Sequence, residues 1–337
     1  MLAMKTALRA LILLISLAAS AGGASLRAIF VDVEGGQATL FVAPSGQSLL
    51  IDTGWATPNG RDADRILAAA KQLGITKLDY VLITHYHADH VGGVAQLADR
   101  IKVGTFIDHG PNREDSADTR ANFAAYEKVA QAAKRLTVKP GDHIPITGLD
   151  VEVVSSDGET VQDALPGAGQ PNPFCSSEPA PPDDNSENAR SVGVMITFGK
   201  LRVLDLGDLS KKKELALACP RNLLGTVDLF VVTHHGFNQS NPRALVNAIH
   251  PRVAIMDNGA HKGGSPDAWQ IVHDAPGLAD LWQLHYAMDN GKDHNVAPNF
   301  IANLNEKCAG KSISVTAESN GTITVKNDRN GFKKKYK

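Results

Sequence analysis

Thr84-His85-Tyr86-His87-Ala88-Asp89-His90-Val91-Gly92-Gly93 follows directly on the run Asp79-Tyr80-Val81-Leu82-Ile83. Three histidines and an aspartate fall within six residues. Imidazole and carboxylate are the groups that bind first-row divalent cations. No packing rule asks for such a cluster, and a group this polar is costly to fold unless something binds it. His85 and His87 can hold one cation together from an extended turn, while Asp89 and His90 point elsewhere and begin a second site. The preceding apolar run reads as a buried strand. The cluster therefore sits at a strand's carboxyl end, where open α/β sheets place their chemistry.

Closing two sites needs distant donors and one carboxylate able to bridge. Asp208 follows the strand-like stretch from Lys200 to Leu206 and a glycine, so its carboxylate is presented at a strand end. His234 and His235 end the stretch Val227 to Thr233 and precede Gly236. The residues alone do not say which of the two histidines binds. Leu78-Asp79-Tyr80-Val81-Leu82-Ile83-Thr84-His85 lines up with Val227-Asp228-Leu229-Phe230-Val231-Val232-Thr233-His234, and Ser48 to Gly54 resembles Lys200 to Asp208. Two echoing halves facing each other across one site are expected.

Around these landmarks, strands are predicted at 26–33, 38–42, 48–52, 147–155 and 251–257, with helices at 62–73, 91–100 and 117–135. Another helix is predicted through Ile249, with Asn241 as its cap and Pro242 at its first position. Residues 311–325 alternate polar and apolar around Ser319-Asn320-Gly321, which signals a hairpin. The segment from Ser155 to Asn188 is rich in Pro, Gly, Ser and Asp; it reads as a lid near the site or as disordered chain.

The 337 residues are 43% hydrophobic with a formal charge of −2, which suits a globular protein of one large domain or two ordinary ones. The basic block near the end of the sequence, Lys333-Lys334-Lys335 and Lys337, reads as a solvated tail. Charge thus gives no support to a nucleic-acid groove. Lys5 and Arg9 precede the apolar run Leu11 to Ala19 and an A-x-A pattern at Ala19-Ser20-Ala21. Residues 1–21 accordingly read as a secretory signal peptide, with cleavage as late as residue 24, and the mature charge becomes about −4. No other stretch approaches membrane length. A soluble periplasmic or secreted protein is expected, and there the three cysteines, Cys175, Cys219 and Cys308, allow one disulfide of undetermined pairing.

H-x-H-x-D-H, the later Gly207-Asp208 and the strand-end histidine pair, in that order, resemble the metallo-β-lactamase fold superfamily. Asp32-Val33-Glu34-Gly35-Gly36-Gln37-Ala38, Leu50-Ile51-Asp52-Thr53-Gly54 and Val232-Thr233-His234-His235-Gly236 are similar to the hydrolase domain of ComEC-type competence proteins. The resemblance implies an α/β four-layer αβ/βα sandwich over residues 25–310, followed by a C-terminal hairpin and basic tail at 311–337. It implies two divalent cations, zinc or else manganese. His85 and His87 would hold the first; Asp89, His90 and His234 or His235 the second; Asp208 would bridge. Asp52 would orient a ligand from behind, and Asp89 would also act catalytically by orienting the attacking hydroxide.

Many members of that superfamily carry a further histidine about twenty residues before the bridging aspartate. This chain has Ser186-Glu187-Asn188-Ala189-Arg190-Ser191 there. Water or Asn188 would complete the first site, with His109 as an outside candidate. In the glycine-rich loop Asn258 to Ser265, Lys262 is a candidate for holding an anionic substrate group. The substrate expected from the resemblance is a phosphoester, including a phosphodiester or nucleic acid. A small-molecule lactam, lactone or ester is the alternative, and a non-catalytic metal-binding or interaction module is the reading from another class.

Overall fold

The structure, a computed structural model, describes residues 25–179 and 181–337; the signal-peptide reading lies outside them. Two sheets carry the chain. The first contains β1 (Ser25–Phe30), β2 (Thr39–Val42), β3 (Ser48–Ile51), β4 (Leu78–Leu82), β5 (Val103–Asp108) and β6 (Lys134–Thr137). The second contains β7 (Asp150–Ser156), β8 (Glu159–Thr160), β9 (Gly193–Phe198), β10 (Leu201–Asp205), β11 (Leu229–Val231), β12 (Val253–Met256), β13 (Asp280–His285) and β14 (Ile301–Asn303). The chain then returns to the first sheet as β15 (Ile313–Glu318), β16 (Ile323–Asn327) and β17 (Lys333–Tyr336), giving the order β17-β16-β15-β1-β2-β3-β4-β5-β6.

Alternation along the strands builds three apolar layers. Leu26, Phe30, Phe41 and Ile51 face Val194, Val203, Val231 and Trp282 between the sheets. On the outer side of the first sheet, Ile29, Leu40, Leu50 and Val81 pack on α1 (Arg61–Leu73), α3 (Val94–Ala98) and α4 (Ala117–Ala130), with α2 (Ala88–Val91) placed just before α3. Leu204, Phe230 and Met256 pack on α5 (Lys211–Ala218), α6 (Arg243–Ile249) and α7 (Pro266–His273) outside the second. This is the four-layer sandwich expected.

The echo between halves extends to topology. β1–β2 and β2–β3 pair antiparallel, and β3–β4, β4–β5 and β5–β6 parallel. The run β7-β9-β10-β11-β12-β13 repeats that pattern step for step. Each half therefore offers the carboxyl ends of parallel strands to the same cleft.

Several local expectations change. The helix predicted at 91–100 is two short helices, because the chain between them presses on a neighbouring segment: Thr53 N donates to His90 O at 2.7 Å and Gly93 N to Gly54 O at 2.9 Å. The helix predicted to 135 stops at Ala130, and Lys134–Thr137 pairs as β6. Asn241 does not cap α6. It sits at φ 61, and its Nδ2 donates to Thr233 O at 2.8 Å. The C-terminal hairpin forms around Ser319-Asn320-Gly321 but does not stand apart, since β15 pairs along the whole of β1. Nor is the basic end a solvated tail. It is strand β17, where Lys334 Nζ meets Asp280 Oδ2 at 2.6 Å and the buried Tyr336 hydroxyl accepts from Trp282 Nε1 at 3.0 Å.

Cys175 and Cys219 form the disulfide, and Cys308 is free. Cys308 Sγ lies 3.2 Å from Asp32 Oδ2, beside His285, whose Nε2 is 2.7 Å from Asp32 Oδ1. Burial opposes charge on His285, but Asp32 and Cys308 outweigh it and raise the ring to about 9 from 6.5. Folding thus favours the protonated ring. That stabilisation is complete below about pH 6.5 and is lost as pH rises through about 9, a change of about 3 kcal/mol. We expect thermal unfolding of the wild type to show an alkaline decline over this window that is absent from the curve of His285→Asn.

Candidate metal centre

The cluster lies at the strand ends. Asp52 follows β3, Thr84 to His90 follow β4, Asp208 follows β10, and His234 and His235 follow β11. Two glycines allow close approach, Gly36 within the first half and Gly207 between the halves. A Cβ on Gly36 would stand 2.3 Å from Asp89 O, and one on Gly207, at φ 55, would stand 2.9 Å from Thr84 Cβ.

Asp89, His90, Asp208 and His235 are buried, with donor atoms all within 4.8 Å of one another. His90 Nε2 is 3.2 Å from His235 Nε2, 3.3 Å from Asp89 Oδ2 and 3.1 Å from Asp208 Oδ2. His235 Nε2 is 3.1 Å from Asp89 Oδ2 and 3.4 Å from Asp208 Oδ1. A tetrahedral zinc site with ordinary bond lengths has donor–donor edges of about 3.3 Å, so this set fits a divalent cation. Asp208 Oδ1 is buried without a hydrogen-bond partner, which fits a carboxylate shaped for a cation.

His85 Nε2 faces His87 Nδ1 at 3.0 Å and lies 3.9 Å from Asp208 Oδ2. His85 and His87 thus pair beside the compact set, with His85 nearing the Asp208 oxygen that His90 also approaches. His234 Nε2 also approaches Asp208 Oδ2, at 3.4 Å.

The rings are held from behind. Asp52 Oδ2 is 2.7 Å from His90 Nδ1, and its two oxygens accept from the Thr84 amide and hydroxyl. Glu114 Oε2 is 3.1 Å from His87 Nε2, and Asp257 Oδ1 is 3.2 Å from His235 Nδ1. Carboxylates behind imidazoles fix the ring and its tautomer. The sequence reading does not single out Glu114 or Asp257. A signal existed for the second, since β12 runs into Asp257 as β3 runs into Asp52. Nothing local marks Glu114.

Electrostatics divides the group. Burial opposes charge on Asp208, but His234, His90 and His235 surround the carboxyl and hold it well below its usual range. Burial and Lys262 oppose charge on His235, but Asp208 and Asp257 push it up to about 10. His234 goes the other way, down to about 4, chiefly through burial.

Lys262 enters the site. Its Nζ lies 2.5 Å from Asp89 Oδ2 and 2.6 Å from Gly35 O, between the rings of Trp55 and Phe237. Trp269 and Trp282 belong to the core. His109 is not among the clustered donors; its Nε2 pairs with Glu187 Oε2 at 2.9 Å. Asn188 Oδ1 is buried without a hydrogen-bond partner and lines a cavity of about 630 Å³ with Pro181, Ser186, Ser210, Lys211 and His234. The end of the 155–188 insert thus walls the site, and the Cys175–Cys219 bridge ties the insert to the end of α5.

Residues 31–171 match the family described as the Metallo-beta-lactamase superfamily. That stretch is similar to the superfamily, and it carries the cluster from His85 to His90. The chain is similar to Recombination protein 2 of Haemophilus influenzae, at 27% identity over 72% of this chain and 25% of that protein. It is also similar to ComE operon protein 3 of Bacillus subtilis, at 25% identity over 55% of this chain and 20% of that protein. The chain thus spans a quarter or less of the length of these curated relatives. A solved metallo-beta-lactamase fold protein, YhfI of Bacillus subtilis, aligns with a TM-score of 0.47 at 13% identity over 77% of this chain and 95% of that one.

Proposed function

We propose that this chain is an exported, binuclear metal-dependent hydrolase of phosphoesters. The observation that carries the reading is Asp208: one buried carboxylate with an unpartnered oxygen, approached by His85 as well as by His90 and His235. His85, His87 and Asp208 would hold the first cation, and Asp89, His90, His235 and Asp208 the second, zinc or manganese in kind. Such a pair supplies water of near-neutral pKa and offsets charge developing on the group attacked.

The chain's own residues do the rest. Asp89 is placed to orient the attacking water and accept its proton. Lys262, beside Asp89, brings an ammonium to the face where an anionic phosphoryl oxygen would lie. Asp52, Glu114 and Asp257 keep the imidazoles aimed inward. The name of one relative, a recombination protein, connects it with nucleic acid, whose backbone is a phosphodiester. Export is supported by the Cys175–Cys219 disulfide, which persists in oxidising compartments. Among the described residues no helix is long and apolar enough to cross a membrane.

The test is a panel on the zinc- or manganese-loaded chain: a phosphodiester, a phosphomonoester, a cephalosporin and a lactone. Turnover of the phosphodiester is expected. Turnover of the lactone or cephalosporin alone would replace this reading with carbonyl hydrolysis, and no turnover at all with a non-catalytic module.

A further inference from the structure

We infer that His234 is the fourth donor of the first metal site, taking the place of the histidine that the chain lacks near Asn188. The inference rests on the binuclear reading above. His85 Nε2, His87 Nδ1 and Asp208 Oδ2 make three donors, which leaves one position of a four-coordinate cation for a further donor or water.

The backbone points to both histidines being needed. His234, His235 and Gly236 are consecutive residues in the left-handed region, at φ 55, 52 and 79. Two non-glycine residues in succession there are costly and persist only when the surroundings enforce them. Here Asn241 Nδ2 grips Thr233 O and Phe237 O on either side of the turn, and His234 N donates to Gly207 O at 2.9 Å. The turn splays the two rings to centroids 6.1 Å apart with planes at 70°. His235 goes to Asp208 Oδ1 and Asp89, and His234 goes to Asp208 Oδ2, the oxygen that His85 and His90 also approach. A turn serving only the second site would need no imidazole at 234.

His234 is also built as the other rings are: tethered on its outer nitrogen, open on its inner one. Its Nδ1 lies 3.3 Å from Ser240 Oγ. The single proton of that hydroxyl goes to Leu209 O at 2.7 Å, so Ser240 must accept from His234 Nδ1–H. In the neutral ring Nε2 is then a bare acceptor facing a carboxylate oxygen at 3.4 Å. Two acceptors face each other stably only when a cation sits beside both.

The test uses the full chain, stripped with chelator and reloaded with zinc ion alone, with metal per chain as the readout. Asn tolerates the left-handed region, so His234→Asn is the variant that keeps the turn, and circular dichroism checks its fold. Wild type is expected to hold two equivalents and His234→Asn one. The double variant His85→Asn/His234→Asn should still hold one, since both changes strike one site, and His234→Asn/His235→Asn none. Two equivalents in His234→Asn with affinities within about threefold of wild type would overturn the inference. So would a His85→Asn/His234→Asn chain that holds none, or an Asn188→Ala chain that falls to one while His234→Asn keeps two. A wild type with fewer than two equivalents would overturn the binuclear reading itself, and this inference with it.

Discussion

Asp208→Asn is expected to lose at least one metal equivalent and at least about a thousandfold in hydrolysis of whichever substrate the wild type turns over. The thousandfold corresponds to about 4 kcal/mol of transition-state stabilisation, the order of what a two-cation site supplies. The change is nearly isosteric, so the fold should survive it. It acts on a residue that donors of both sites approach, His85, His90 and His234 at one oxygen and His235 at the other. An amide carries no charge, binds divalent cations more weakly, and presents an NH₂ where one of the two oxygens was. Metal analysis and steady-state rates read the outcome. A variant that kept two equivalents and its rate would move the bridging role elsewhere.

Stripping the metal should be equally damaging. The centre gathers buried imidazoles and carboxylates that are partnered chiefly by one another, with Lys262 as the added cation. Chelation is expected to abolish hydrolysis and to destabilise the chain by about 4 kcal/mol per site, relative to free metal at a thousand times its dissociation constant. The fold should remain, because the three apolar layers do not depend on the centre. Thermal unfolding with and without chelator measures the shift. Unchanged stability and rate after complete removal of metal would refute a metal-dependent site.

What could be read from the sequence was local. The cluster from His85 to His90, the strand before it and the Gly207-Asp208 turn declare themselves within a few residues. The echo between halves was visible as two strand ends carrying Thr-His, and the sheets repeat it in the order of their pairings. What was not legible comes from parts brought together by folding. Glu114 meets His87 across a loop, Ser240 meets His234 through a turn, and neither carries a pattern. The helix expected at 91–100 breaks because its glycines sit against Thr53 and Gly54, a contact no periodicity reveals. The basic end looked solvated because three lysines hide one buried tyrosine, whose place is fixed by Trp282 from a strand of the other sheet.

Two cations held between two halves are tested most directly by the reconstitution endpoint. Stripped protein would be titrated with zinc or manganese while phosphodiester hydrolysis is followed. Activity should rise until two equivalents per chain are bound and then level off. An endpoint at one equivalent, or hydrolysis that persists in the stripped chain, would contradict a two-cation centre.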